Sequence, residues 1–194
     1  MLPKCIVLIG SSTGGPKALQ FILERLPEDI NVPIIIVQHM PSKFTKLMSE
    51  RFNLCCKIRV KEAEDGEVIK NSVAYIAPGD KNLLVIRESD TLKIKLSTEY
   101  KSIYHPSIDA TIISASKLDI YIVTVVLTGM GSDGSIGIKF LNREKSYIIS
   151  QDEKSSIAKG MPFNAAKTGL VDKILSLEDI PNEIIVKVRE HNGK

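Results

Sequence analysis

The chain has 194 residues, 43% of them hydrophobic and 25% charged, with 26 basic against 23 acidic side chains and a formal net charge of +3. That length predicts a single domain, 1–194, with a sizeable core, and basic and acidic residues this evenly interspersed exclude a nucleic-acid-binding stripe. Three cysteines, Cys5, Cys55 and Cys56, form no C-x-x-C pair and fit a reducing compartment, which argues against a disulfide framework and against a metal site.

The first apolar stretch, residues 5–9, ends in a Gly-Ser turn without a small-residue cleavage site, so no signal peptide is expected. The longest later stretch, 120–127, is interrupted by Thr124 and falls far short of the roughly 20 residues that cross a bilayer. The expectation is a soluble, cytoplasmic protein without membrane insertion.

Residues 5–9 are apolar without alternation, as in a strand buried on both faces of a parallel sheet. From Lys17 the period becomes helical: Ala18, Leu19, Ile22, Leu23 and Leu26 share one face, Gln20, Glu24 and Arg25 the other. The turn between them, Gly10-Ser11-Ser12-Thr13-Gly14, has the G-x-S-x-G spacing of a nucleophile elbow, in which small neighbours let a serine stand on a tight bend above a strand end. Ser12 is then a candidate nucleophile. A phosphate cradle at a helix N-terminus and plain capping by Ser11, Ser12 or Thr13 are the competing readings, although neither G-x-x-x-x-G-K-[ST] nor G-x-G-x-x-G is present.

Residues 32–37 predict a second buried strand, ending at Gln38-His39-Met40-Pro41. His39 thus also stands at the carboxyl end of a strand, where ligand chemistry collects in open α/β sheets; the other reading is a histidine that only hydrogen-bonds a loop carbonyl. Pro41 and Ser42 open an amphipathic helix with Phe44, Leu47, Met48 and Phe52 inward. A short strand follows at 57–60, then an acidic turn at 62–67 read as a solvated loop. A strand at 73–77 is closed by Pro78-Gly79-Asp80, and 83–86 with 92–96 form an antiparallel hairpin in which nothing looks chemical. Residues 97–104 read as a polar loop. His105-Pro106-Ser107-Ile108-Asp109 leads into a helix with Ile112, Ile113 and Ala115 inward, His105 being extended and either lining a cleft or exposed.

The strand at 120–127 runs into Thr128-Gly129-Met130-Gly131-Ser132-Asp133-Gly134, where glycines let N–H groups converge on an anion or a developing oxyanion. The alternative is a tight turn with Ser132 or Asp133 as a helix cap. A strand at 147–150, a polar and mobile-looking segment at 151–156, a helix from Met161-Pro162 to Lys167 ended by Gly169, an edge strand within 170–174 and a helix from Ser176 to about Glu190 complete the chain. Residues 191–194 read as a frayed tail.

Ser12, His39 and Asp133 are thereby expected on three strand ends at one edge of one sheet. A serine hydroxyl is a poor nucleophile until an imidazole takes its proton, and a carboxylate orients that imidazole and stabilises its charged form. The chain order Ser, His, Asp differs from the Ser, Asp, His order of α/β-hydrolases, which excludes ordinary membership of that fold.

The sequence closely resembles the catalytic domain of the bacterial chemotaxis protein-glutamate methylesterases (CheB type). The resemblance rests on Gly10-Ser11-Ser12-Thr13-Gly14-Gly15, Gln38-His39-Met40-Pro41, Lys61-Glu62-Ala63-Glu64-Asp65-Gly66, Tyr75-Ile76-Ala77-Pro78-Gly79-Asp80, Pro106-Ser107-Ile108-Asp109, the 127–134 motif and Gly160-Met161-Pro162, in the family's order along nearly the whole chain. It implies a doubly wound, mostly parallel α/β sheet with helices on both faces and an added antiparallel hairpin. It further implies a cytoplasmic serine hydrolase that removes methyl groups from glutamate methyl esters on chemoreceptor cytoplasmic helices, releasing methanol, with deamidation of receptor glutamines in some members. Carried over by position, Ser12 is the nucleophile, His39 the base and then acid, Asp133 the orienting carboxylate, the Met130 N–H part of the oxyanion hole, and Thr13 a residue of the site. No cofactor or metal is implied.

Most members carry an N-terminal receiver domain, whereas this sequence starts at the first catalytic strand, so a receiver or a phosphorelay kinase is a partner only if a longer chain exists. The competing function classes are a non-enzymatic, anion-binding regulatory module and a serine esterase or amidase with another substrate.

Overall fold

The computed structural model describes residues 2–99 and 104–192. In chain order the elements are β1 (Cys5–Ser11), α1 (Gly15–Leu23), β2 (Ile34–Gln38), α2 (Ser42–Cys55), β3 (Arg59–Glu62), β4 (Val73–Ile76), β5 (Asn82–Glu88), β6 (Thr91–Ser97), α3 (Ile108–Ala115), β7 (Tyr121–Val126), β8 (Ser146–Gln151), α4 (Gly160–Lys167), β9 (Lys173–Leu175) and α5 (Ile180–Asn192), with 3-10 turns at Gly137–Phe140 and Arg143–Lys145. Seven strands form one sheet in the order β3-β4-β2-β1-β7-β8-β9, and every pairing in it is parallel. β5 and β6 pair with each other as the antiparallel hairpin.

β1 is buried along its whole length, which explains its unbroken apolar run: the pleat sends alternate side chains to opposite faces, and both faces are covered. Cys5, Val7 and Ile9 meet Leu19 and Ile22 of α1, Phe52 of α2 and Ile184 of α5. Ile6 and Leu8 meet Leu83 and Ile94 of the hairpin, Ile108 and Ile112 of α3 and Met161 of α4. The doubly wound sheet with its added hairpin is therefore present, as the resemblance implies. β1 lies where the strand order reverses, with β2 on one side and β7 on the other, and a cleft opens at the carboxyl ends of such a trio.

Several local expectations are corrected. The inward face of α2 is Thr45, Met48, Ser49 and Phe52, leaving Phe44 54% and Leu47 60% exposed. Thr45 takes the inward position because its hydroxyl has partners there, 2.6 Å from a Glu62 carboxylate oxygen and accepting from the Gly79 N–H. In α3, Ile108, Ala110 and Thr111 join Ile112 and Ala115 inside, while Ile113 is half-buried.

The acidic segment at 62–67 is not merely a solvated loop: Glu64, Asp65 and Gly66 are exposed, but the segment is bonded to other elements. The Ala63 N–H donates to Ile76 O, the Gly66 N–H to Ile94 O and the Ile94 N–H to Glu67 O, Asp65 accepts from the Leu96 N–H, and Lys61 pairs with both Glu64 and Glu67. It stitches the hairpin to the edge of the parallel sheet. Nor is 151–156 loose: Gln151 is buried, and Asp152 accepts from both the N–H and the hydroxyl of Ser155. At the other end of the chain His191 belongs to α5 and stacks on Tyr121, with ring centroids 3.3 Å apart. Parts of two expectations, the loop at 100–103 and the tail at 193–194, fall outside the described residues. No helix among the described residues is long and apolar enough to cross a membrane.

Candidate active site

β1, β2 and β7 deliver Ser12, His39 and Asp133 to one edge of the sheet, because parallel neighbours all point the same way. Pairing continues past the strands: the His39 N–H donates to Ser11 O and the Ser12 N–H to Thr128 O, each at 3.0 Å. Beneath this edge the buried Gln38 accepts from the Ser11 hydroxyl at 2.7 Å. Its amide nitrogen donates to Ser12 O at 3.0 Å and to His39 O at 2.9 Å. One side chain thus fixes the carbonyls of both Ser12 and His39.

Close backbone approach accounts for two glycines of the motifs. A Cβ on Gly15 would lie 2.0 Å from the Gln38 amide oxygen, and one on Gly129 would lie 2.8 Å from Ser12 Cβ. The β7 turn consequently presses its backbone against the serine. The Thr128 hydroxyl completes this contact, donating to Thr13 O at 2.9 Å.

His39 Nε2 stands 2.8 Å from Asp133 Oδ2. Asp133 is only 4% exposed and is saturated with donors: the Ile108 N–H at 2.7 Å, the Asp109 N–H at 2.9 Å and the Ser107 hydroxyl at 3.3 Å. Ile108 and Asp109 open α3, where N–H groups have no partner within the helix. Asp133 therefore caps a helix, though not one that follows it in the chain, and it places negative charge at the positive end of that helix. Burial opposes its ionisation, but the hydrogen bonds from His39 and from the Asp109 and Ile108 N–H groups prevail and hold the carboxyl below its ordinary value. A carboxylate kept ionised accepts from Nε2–H, so the other imidazole nitrogen, Nδ1, is the basic one in the neutral ring.

The Tyr104 ring lies parallel to the imidazole at 4.6 Å. Ser107, the cap of α3, is anchored through its N–H to Asn82 Oδ1 at 2.8 Å. The hairpin that looked inert in the sequence hence sets the height of α3 and, through it, of Asp133. His105 is exposed, and its Nδ1 lies 3.3 Å from the Asn82 amide nitrogen, so it braces the hairpin rather than lining the site.

Ser12 is half-buried and Thr13 exposed; Met130 is 66% exposed. Among the described residues the Ser12 hydroxyl has no hydrogen-bond partner, and the N–H groups of Thr13 and Met130 have no acceptor. The edge thus combines an uncommitted hydroxyl, an oriented imidazole and two uncommitted N–H donors; catalytic hydrogen bonds of this kind commonly tighten only around substrate. Sequence reasoning did not single out Gln38, Tyr104, Ser107, Asp109 or Thr128 as parts of this edge. Ser107 and Asp109 carried a signal, a capping residue and an acid at a helix start, but their contacts to a turn some 25 residues away leave no local trace.

The model of the CheB methylesterase family matches residues 7–184. The chain belongs to this family. A protein-glutamate methylesterase/protein-glutamine glutaminase of Halalkalibacterium halodurans is 47% identical over 184 residues, covering 94% of this chain and 53% of the relative. One of Bacillus subtilis is 44% identical over 188 residues, covering 95% and 53%. The chain spans about half the length of these curated relatives. The crystal structure of the Thermotoga maritima CheB methylesterase catalytic domain superposes with a TM-score of 0.90 at 36% identity, over 94% of this chain and 97% of that one.

Proposed function

We propose that this chain is a cytoplasmic serine hydrolase that removes methyl groups from glutamate methyl esters on the cytoplasmic helices of chemoreceptors, in chemotaxis adaptation. The observation that carries the reading is the His39–Asp133 contact of 2.8 Å at the same sheet edge as Ser12, in a chain of the CheB methylesterase family. The names of the relatives support both the methylesterase activity and deamidation of receptor glutamines.

His39 takes the Ser12 proton at Nδ1 as Oγ attacks the ester carbonyl, and Asp133, bonded to Nε2, stabilises the resulting imidazolium. The negative charge on the tetrahedral oxygen is met by the Thr13 and Met130 N–H groups, donors fixed before the reaction begins. Collapse breaks the bond to the methoxy oxygen, which leaves as methanol with the proton from His39. Water, deprotonated by the same nitrogen, then attacks the acyl-serine and frees the glutamate side chain and Ser12. A glutamine follows the same route with ammonia as the leaving group. No step calls for a metal or cofactor.

Methanol release from methylated chemoreceptor cytoplasmic fragments, compared between this chain and Ser12→Ala, tests the reading. The expected result is release by the native chain and a loss on the order of 10⁴-fold or more in the variant. Release that survives the substitution removes Ser12 as nucleophile; a folded native chain that releases none removes the proposed substrate.

A further inference from the structure

Asp109 is an acid that the mechanism above does not use, set half-buried directly behind Asp133. One of its oxygens, Oδ1, accepts three backbone N–H groups of the turn that follows Asp133: Gly134 at 2.9 Å, Ile136 at 3.1 Å and Gly137 at 2.6 Å. In return, Asp133 accepts the N–H groups of Ile108 and Asp109. Each aspartate therefore caps the segment that carries the other. The two carboxyl groups also lie close enough for the charge on Asp133 to act on Asp109.

We propose that Asp109 is a positioning residue of the reaction, clasping the turn that aims Asp133 at His39 and adding, through Asp133, a second negative charge that favours the imidazolium. The inference rests on the proposed roles of Ser12, His39 and Asp133 and extends them by a residue that touches no substrate.

A carboxylate that accepts three N–H groups ordinarily ionises easily. Here burial is the largest influence and opposes that, the Gly137 and Gly134 N–H groups pull the other way, and the adjacent Asp133 carboxylate helps push the Asp109 pKa up to about 6. Two close carboxylates share one proton until the pH rises. Asp133, with His39 and two helix N–H groups on it, stays ionised, so the shared proton resides on Asp109. Among the described residues, the other charged groups on the surrounding elements, Lys81, Arg87 and Glu88 around β5, Lys117 after α3 and Lys139 of the 3-10 turn, are exposed to solvent, and His105 faces Asn82. Above about pH 6, then, His39 looks toward a doubly charged pair, and below it toward a singly charged one.

Two substitutions separate the clasp from the charge. Asp109→Asn keeps the volume and an oxygen for the three N–H groups but carries no charge, so it imitates the singly charged pair at every pH. Asp109→Ala removes the clasp as well. In the full chain, kcat and KM on methylated receptor fragments would be measured from pH 5 to 9, together with Tm and an NMR titration of the His39 ring. Asp109→Asn is expected to lower kcat about three- to tenfold with KM unchanged, and to move both the acid limb of the profile and the His39 midpoint to lower pH. Asp109→Ala is expected to lose more than tenfold in kcat and to melt earlier. An Asp109→Asn variant that matches the native chain in kcat, profile and His39 midpoint would overturn the proposal and leave Asp109 a packing residue. A native chain that releases no methanol defeats the functional reading alone, since the His39 titration still decides the role of Asp109.

Discussion

The two glycine-rich strand ends that form the site are built on opposite terms. At the end of β1, Ser12 keeps its hydroxyl uncommitted and the next N–H, that of Thr13, without an acceptor among the described residues. Rigidity is supplied from below, by Gln38 and Thr128 holding the carbonyls of Ser12 and Thr13. At the end of β7, Asp133 is buried and accepts from His39, Ile108, Asp109 and Ser107, and the turn after it is tied to Asp109. A group that reacts needs hydrogen-bonding capacity left for the substrate, whereas a group that orients works best when saturated. The same composition, glycines with small polar residues, serves both ends because glycine only permits close approach; the neighbours decide which groups are left free.

If that contrast is right, the two ends fail differently. Asp133→Asn places an amide N–H₂ against donors that now meet a carboxylate, which costs about 1–3 kcal/mol for each donor left without an acceptor. It also removes the charge that supports the imidazolium, for an expected fall in kcat on the order of 10³- to 10⁴-fold. Thermal denaturation and methanol release measured together should show both losses. Ser12→Ala should lose the activity and keep the native Tm; equal Tm values for the two variants would break the comparison.

A smaller perturbation tests the contact between the ends. An Ala at 129 would bring its Cβ to 2.8 Å from Ser12 Cβ and 2.2 Å from Met161 Sδ. The Met161 side chain can swing away, but the serine Cβ is fixed to the β1 turn, so the serine or the β7 backbone shifts. Displacement of a reactive group by about 1 Å is worth roughly 10²-fold in rate. Gly129→Ala is therefore expected to lower kcat by about that factor with little change in KM. An unchanged kcat would mean that the two turns are not in register for the reaction.

Much of this architecture was legible in the chain itself. The unbroken apolar run of β1 and the nearly unbroken one of β7 identified strands covered on both faces, and the turns at their ends identified Ser12 and Asp133 as candidates. Boundaries and inward faces were less legible. Phe44 and Leu47 read as core because helical periodicity scores apolarity, yet Thr45 is buried by its hydrogen bonds to residues on β3 and beyond β4. The acidic stretch at 62–67 read as solvated because its partners, Ile76, Ile94 and Leu96, lie on other elements. The roles of positioning groups such as Asn82, Ser107 and Asp109 could not be read for the same reason: Ser107 and Asp109 stood in a recognisable motif, but what they do is a contact made by folding, not a pattern along the sequence.

The smallest effect separates the two aspartates by stability rather than rate. Asp109 has a folded pKa of about 6 against an ordinary 3.8, so the native state holds a proton that the unfolded chain releases. Below about pH 4 both states are protonated there and the group costs nothing; as the pH rises from 4 to 6 ionisation favours the unfolded chain, and above 6 the penalty is complete. Asp133 has the opposite sign: its lowered pKa contributes stability above the ordinary carboxyl range that is lost on acidification through the folded value. The two trends offset one another in the native chain. Asp109→Asn removes one of them, so its Tm relative to the native chain should be higher at pH 7 than at pH 4, by about a few degrees. Calorimetry at the two pH values provides the check. A Tm difference that does not change with pH would mean that Asp109 carries no shifted proton, and that Asp133 alone sets the electrostatics behind His39.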